Sequence, residues 1–113
     1  MTKELIEKAV SRYAEEARKI YGSKLDSVIL FGSCARGDFN DDSDVDIMIL
    51  LDVPREAIPV ERGKTPTISA LLDEEFDYDV LFAPVVESKE VFVKYKNVIP
   101  FYGNIVKEGR IYA

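Results

Sequence analysis

Residues 31–52 read FGSCARGDFNDDSDVDIMILLD, and the rest of the chain is best read outward from this stretch. Asp38, Asp41, Asp42, Asp44 and Asp46 crowd together and run straight into an apolar segment. Crowded carboxylates repel one another, so each needs water or a cation beside it. In front of them, DSVILFGS predicts a short buried strand over roughly Ser27–Phe31, halted at Gly32. Behind them, DVDIMILLD predicts a second buried strand that ends near Pro54. Strand residues two apart project from the same face. Asp44 and Asp46 therefore share one face at the start of the second strand, and Val45, Ile47 and Ile49 take the other.

Two neighbouring carboxylates at the edge of a buried strand form a hard-oxygen site suited to Mg²⁺ or Mn²⁺. Gly32 and Ser33 end the first strand and open a polar segment. A glycine there lets the backbone approach a ligand closely, and a helical turn starting at Ser33 would offer free N–H groups to a phosphate. A phosphate site and a cation site at adjacent strand ends suit a nucleoside triphosphate–metal complex. Two plainer readings compete. In a calcium-loop frame Asp38, Asn40 and Asp42 fill the first ligand positions, but Ser43 replaces the turn glycine and Ile49 the closing glutamate. An ordinary solvated turn accounts for Asp38, Asp41 and Asp42. It serves less well for Asp44 and Asp46, because the strand pattern runs directly through them.

Composition narrows the chemistry. The 113 residues fit one domain with one modest core, and a 47% hydrophobic, 32% charged balance is that of a globular chain. The chain has no histidine, so the commonest general base and the commonest transition-metal ligand are both missing. A net charge of −6 argues against nonspecific nucleic-acid binding. No apolar run reaches membrane-spanning length, and MTKELIEKAV carries charges where a signal peptide has its apolar core. With one cysteine, Cys34, no internal disulfide can form. The expectation is a cytoplasmic protein without a membrane partner.

Outward from the opening stretch, Thr2 caps a predicted helix with Leu5, Ile6, Ala9, Val10, Tyr13, Ala17 and Ile20 at helical spacing, ending at Gly22. PREAIPVERGKTP, with three prolines and a glycine, reads as a loop. TISALLDEEF is a helix candidate, and FDYDVLFAPV a third strand. SKEVFVKYKN reads as a helix capped by Ser88, IPFYGNIVKEG as another stopped by Gly109, and RIYA as a terminal strand. No repeat or composition shift marks a second domain. Helices alternating with buried strands imply an α/β or α+β sandwich.

The string GSCARGDFNDDSDVDIMIL resembles the GSxxRG…SDxDhhh signature of the nucleotidyltransferase superfamily related to DNA polymerase beta. DYDVLF is similar to the family's third strand, and FYGNIVKEGRIY to the closing helix and strand of its small stand-alone members. The chain most resembles the minimal nucleotidyltransferase proteins, often the antitoxin partners of HEPN-domain toxins. The resemblance implies one domain over residues 1–113, with a small mixed β-sheet packed against helices. It implies that Asp44 and Asp46 hold one or two Mg²⁺ ions, and that Ser33 and the backbone around Gly32 hold the β- and γ-phosphates of ATP. A third carboxylate would bind the second metal and help deprotonate an acceptor hydroxyl, which would receive AMP. Asp79 fits the family's apolar-Asp-apolar-apolar pattern better than Asp77 does.

Other residues are weaker candidates. Arg36 can touch phosphate or pair with a neighbouring aspartate. Cys34, without a histidine and beside carboxylates, reads as a small packing residue. Tyr95, Phe101 and Tyr102 read as core rather than as a base-stacking platform, and Lys64 lies in a loop that could reach a phosphate. The catalytic sheet consumes almost the whole chain, so the acceptor is expected from another protein or another subunit, the latter implying a homo-oligomer. Three functions stay open: AMP transfer to a tyrosine of a HEPN-type toxin, nucleotidyl transfer to a small molecule or nucleic-acid end, and neutralisation of a partner by contact alone.

Overall fold

The computed structural model describes all residues from Met1 to Ala113. Helix α1 (Lys3–Tyr21) begins where Thr2 caps it, the Leu5 N–H donating to the Thr2 hydroxyl at 3.1 Å. It buries Ile6, Ala9, Val10, Tyr13 and Ala17 along one stripe, and Gly22 ends it at φ +57°. The chain then forms β1 (Leu25–Phe31), the single turn α2 (Ser33–Arg36) and β2 (Val45–Leu51). After β2 come a 3₁₀ turn at Arg55–Ala57, α3 (Ile58–Arg62), α4 (Thr65–Glu75) and β3 (Phe82–Ser88). The chain closes with α5 (Lys89–Tyr95), α6 (Pro100–Glu108) and β4 (Arg110–Ile111).

The sheet order is β3-β2-β1-β4. Strand β1 runs antiparallel to β2 and β4, and β2 runs parallel to β3 through the helical crossover. The mixed sheet has an apolar cluster on each face. Val28, Leu30, Val45, Ile47, Ile49 and Leu51 pack with α1 and α4. Ile29, Phe31, Met48 and Leu50 pack with Phe92 of α5 and Ile105 of α6. Asp46 alternates with the first set, so it falls on the α5–α6 face at the sheet end. No helix is long and apolar enough to cross a membrane.

Three expectations need correction. The segment after Pro54 is not loop: it holds the 3₁₀ turn and α3, and α4 follows at once. Its prolines stand at helix starts, where the absent N–H costs nothing and the fixed φ helps. The third strand begins at Phe82, after a turn through Asp77 (φ +53°) and Tyr78 (φ +60°) that carries the chain out of α4. Ser88 precedes α5 but makes no side-chain cap; its buried hydroxyl donates to the Val53 carbonyl at 3.0 Å.

Candidate active site

Phe31, the last residue of β1, lies directly opposite Asp46 in the ladder. The backbone therefore turns at Gly32 against the Asp46 carboxylate. Gly32 has φ +74° and ψ −159°, a region essentially closed to other residues. A Cβ there would run into an Asp46 carboxylate oxygen, with Asp46 Cγ and Cβ at 3.2 and 3.3 Å. The glycine thus permits both the turn and the close approach of a carboxylate.

Ser33–Arg36 forms one helical turn beyond it. The Ala35 and Arg36 N–H groups each donate to the Gly32 carbonyl at 3.1 Å, and the Gly37 N–H donates to the Ser33 carbonyl at 2.9 Å. The N–H groups of Ser33 and Cys34 open the turn and have no intrahelical acceptor. Distant residues hold this turn in place. The buried Cys34 thiol points to the Asp44 carbonyl at 3.5 Å. Arg110 of β4 donates to the Cys34 carbonyl at 3.5 Å and to Glu7 of α1 at 2.8 Å. Arg36 pairs with Asp38 at 3.2 Å and with Glu108 at 3.3 Å. Sequence reading missed Glu7, Glu108 and Arg110, because only tertiary contact brings them to the turn.

The five aspartates separate into two sets. Asp38 pairs with Arg36, and Asp41 with the amino group of Met1. The Asn40 side chain accepts from the Asp42 N–H at 2.8 Å, closing the loop on itself. Asp44 and Asp46 enter none of the ion pairs. Asp46 is half-buried, and burial pushes its carboxyl above the usual range; the Asp44 charge adds to this and Arg36 only partly opposes it. Two neighbouring carboxylates that form no ion pair, one of them penalised by burial, fit a hard divalent cation. The same surroundings, burial first and then Asp46, push the Cys34 thiol up, which makes it a packing residue rather than a nucleophile.

Asp79 stands apart from this pair. The parallel register sets Asp46 beside Ala83, and stepping back places Leu81 beside Asp44, with Asp79 beyond. Asp79 is exposed and lines an open depression of about 440 Å³ with Met1, Thr2, Leu5, Asp41 and Tyr78. No three acidic or thiol side chains gather closely enough to hold a metal ion. Lys64 does not face the pair: it binds Glu61 at 3.0 Å and lies over the Tyr21 ring. Tyr102 packs on Phe92 and donates to Glu87 at 2.8 Å, as a core residue should. Tyr95 and Phe101 are exposed instead.

A family model described as nucleotidyltransferase domain matches residues 10–112. The chain belongs to the nucleotidyltransferase family. Two proteins of Methanocaldococcus jannaschii are each 33% identical to it. "Putative protein adenylyltransferase MJ0141" aligns over 88% of this chain and 96% of its own length, and "Putative protein adenylyltransferase MJ0604" over 93% and 95%. Among solved structures, a Sulfolobus solfataricus protein described as a putative nucleotidyltransferase superposes with a TM-score of 0.54 at 18% identity, over 96% of this chain and 80% of its own. A toxin-antitoxin crystal structure with AMP-PNP superposes at 0.50 and 17%, over 91% and 72%. At those identities the two structures establish a shared nucleotidyltransferase fold. The matched residues include Gly32, Ser33, Asp44 and Asp46.

Proposed function

We propose that this nucleotidyltransferase moves AMP from Mg-ATP onto a hydroxyl of a partner protein, a tyrosine of a HEPN-type toxin. The observation that carries the reading is the Asp44–Asp46 pair, which forms no ion pair and abuts the Gly32 turn. Asp44 and Asp46 would hold one or two divalent ions, Mg²⁺ or Mn²⁺. Such an ion supplies Lewis-acid charge to the triphosphate and to the departing pyrophosphate. The Ser33 hydroxyl and the free N–H groups of Ser33 and Cys34 would bind the β- and γ-phosphates. Gly32 keeps the chain low enough for phosphate and carboxylate to meet. The acceptor oxygen bonds to the α-phosphorus, the bond to the bridging oxygen breaks, and pyrophosphate leaves. Asp79 is our candidate for taking the hydroxyl proton. Arg36, which is tied to two carboxylates, acts through the shape of the turn.

The names of the two M. jannaschii relatives support a protein acceptor, and the toxin-antitoxin complex supports a toxin as that protein. The test is incubation with α-labelled ATP, Mg²⁺ and a candidate HEPN partner, beside the Asp44→Asn/Asp46→Asn double variant. Label on a partner tyrosine with wild type alone is the expected result. Label on a small hydroxyl compound or an RNA end, or neutralisation that survives the double variant without label, would overturn it.

A further inference from the structure

Opposite the α1 side, the sheet end is flanked by the connection from α5 to α6. Tyr95 (37% exposed), Val98 (73%), Ile99 (38%) and Phe101 (43%) lie within seven residues of chain there. The Val98 and Ile99 N–H groups both donate to the Tyr95 carbonyl, at 2.9 and 2.8 Å, so the connection is a folded knob. Exposed apolar residues clustered this way mark interaction sites more often than singly scattered ones do.

The Phe101 end of this knob approaches the acidic pair, whereas Tyr95 and Lys94 line a depression with Arg55, Glu56 and Glu90, which follow the far end of β2. The Phe101 ring stands edge-on to Phe31 with centroids 5.6 Å apart. Phe31 is the ladder partner of Asp46. Directly opposed residues have Cβ atoms only about 5 Å apart, so Phe101 is one side chain removed from the carboxylate.

Charge says what covers the knob. Residues 89–113 carry Lys89, Lys94, Lys96, Lys107 and Arg110 against Glu90 and Glu108, a net +3. The whole chain is −6, so the preceding residues are −9. Lys89 and Arg110 are held by Asp26 and Glu7. Lys94, Lys96 and Lys107 enter no ion pair, and Lys94 lies 5.5 Å from the Tyr95 ring centre. The exposed apolar knob is thus flanked by free lysines on an otherwise acidic molecule.

We infer that the Tyr95–Phe101 knob, with Lys94 and Lys96, docks the acceptor protein through an acidic surface that also presents aromatic or apolar side chains. This rests on the reading that the acceptor is a protein. Opposite charge steers the partner and sets its orientation, and the apolar residues supply the buried centre. Docking at the Phe101 end brings an acceptor hydroxyl toward Asp46.

The test uses fluorescein-labelled poly(Glu,Tyr) and poly(Glu) as probes, titrated with the full chain and read by fluorescence anisotropy at low salt. Poly(Glu,Tyr) is expected to bind more tightly than poly(Glu). Lys94→Glu/Lys96→Glu is expected to weaken it about tenfold, and Val98→Ser about threefold. These positions lie outside the acidic pair and its turn, and unchanged melting temperatures would show that the variants fold. The inference is overturned if wild type does not bind poly(Glu,Tyr), if the double variant binds it equally, or if poly(Glu) binds as tightly. It is also overturned if light scattering shows a wild-type dimer that either variant dissociates, since the occupant is then a second copy. Binding without label transfer from ATP would sink the transfer reading and leave the docking face standing; transfer without binding would do the reverse.

Discussion

Replacing Gly32 by alanine separates what the fold needs from what the site needs. The backbone there has φ +74° and ψ −159°, so any side chain costs about 1–3 kcal/mol of strain. For a domain of this size that lowers the melting temperature by roughly 5–15 °C. The added methyl also meets the Asp46 carboxylate. The carboxylate is the free end of a side chain, so it swings away at little cost to the fold. That movement is fatal to a cation site: a displacement of about 1 Å costs on the order of 100-fold in productive geometry. Gly37→Ala is the control, because Gly37 has φ +89° but open space where its Cβ would go. Both variants should melt earlier. Isothermal titration with ATP and Mg²⁺ below the melting range should show Gly37→Ala binding within about threefold of wild type, and Gly32→Ala weaker by roughly 10- to 100-fold. If the two variants lose the same affinity, or if Gly32→Ala loses none, the close approach of Gly32 to Asp46 has no functional meaning.

Asp79→Asn should leave ATP binding within about threefold and lower label transfer on the order of 100-fold, whereas Asp77→Asn should leave both nearly unchanged. Glu61, buried between Lys24 and Lys64, has its carboxyl lowered chiefly by hydrogen bonding to Lys24. A lowered folded-state value means that its stabilisation is present above the ordinary carboxylate range and is lost as pH falls through the lowered one. Glu61→Gln should cost about 1–3 kcal/mol at pH 7, less than a fully buried pair because both lysines are part-exposed, and should flatten the acid limb of a melting-temperature profile. Native Cys34 should react with a thiol reagent far more slowly than the urea-unfolded chain at pH 8, since it is buried and its thiol is pushed up.

Local patterns carried the elements that bury one clear face. Thr2, the stripe from Ile6 to Ala17 and the apolar runs of β1 and β2 each agree with the structure, and Gly32 ends β1 as expected. The prolines near α3 and α4 misled, because a proline that breaks a helix interior also starts a helix well. The third strand was legible in its apolar half only. Nothing local announces that Asp77 and Tyr78 take positive φ and shorten it to Phe82. The face taken by Asp46 was legible because strand alternation fixes it without tertiary information; β2 begins only at Val45, so Asp44 stands exposed one residue before the strand rather than within it. The supports of the Gly32 turn were not, since Arg110 and Glu108 reach Cys34 and Arg36 across more than seventy residues of chain. Phe101 looked like core by its spacing, and the sheet end leaves it partly uncovered beside Phe31.

The central claim is that Asp44 and Asp46 form a cation-dependent nucleotide site. It is tested most directly by titrating ATP into the purified protein with Mg²⁺, with EDTA, and with Mg²⁺ after Asp44→Asn/Asp46→Asn. Wild type with Mg²⁺ is predicted to bind one ATP per chain, with binding lost in EDTA and in the double variant. Equal ATP affinity under all three conditions would contradict the assignment of the pair.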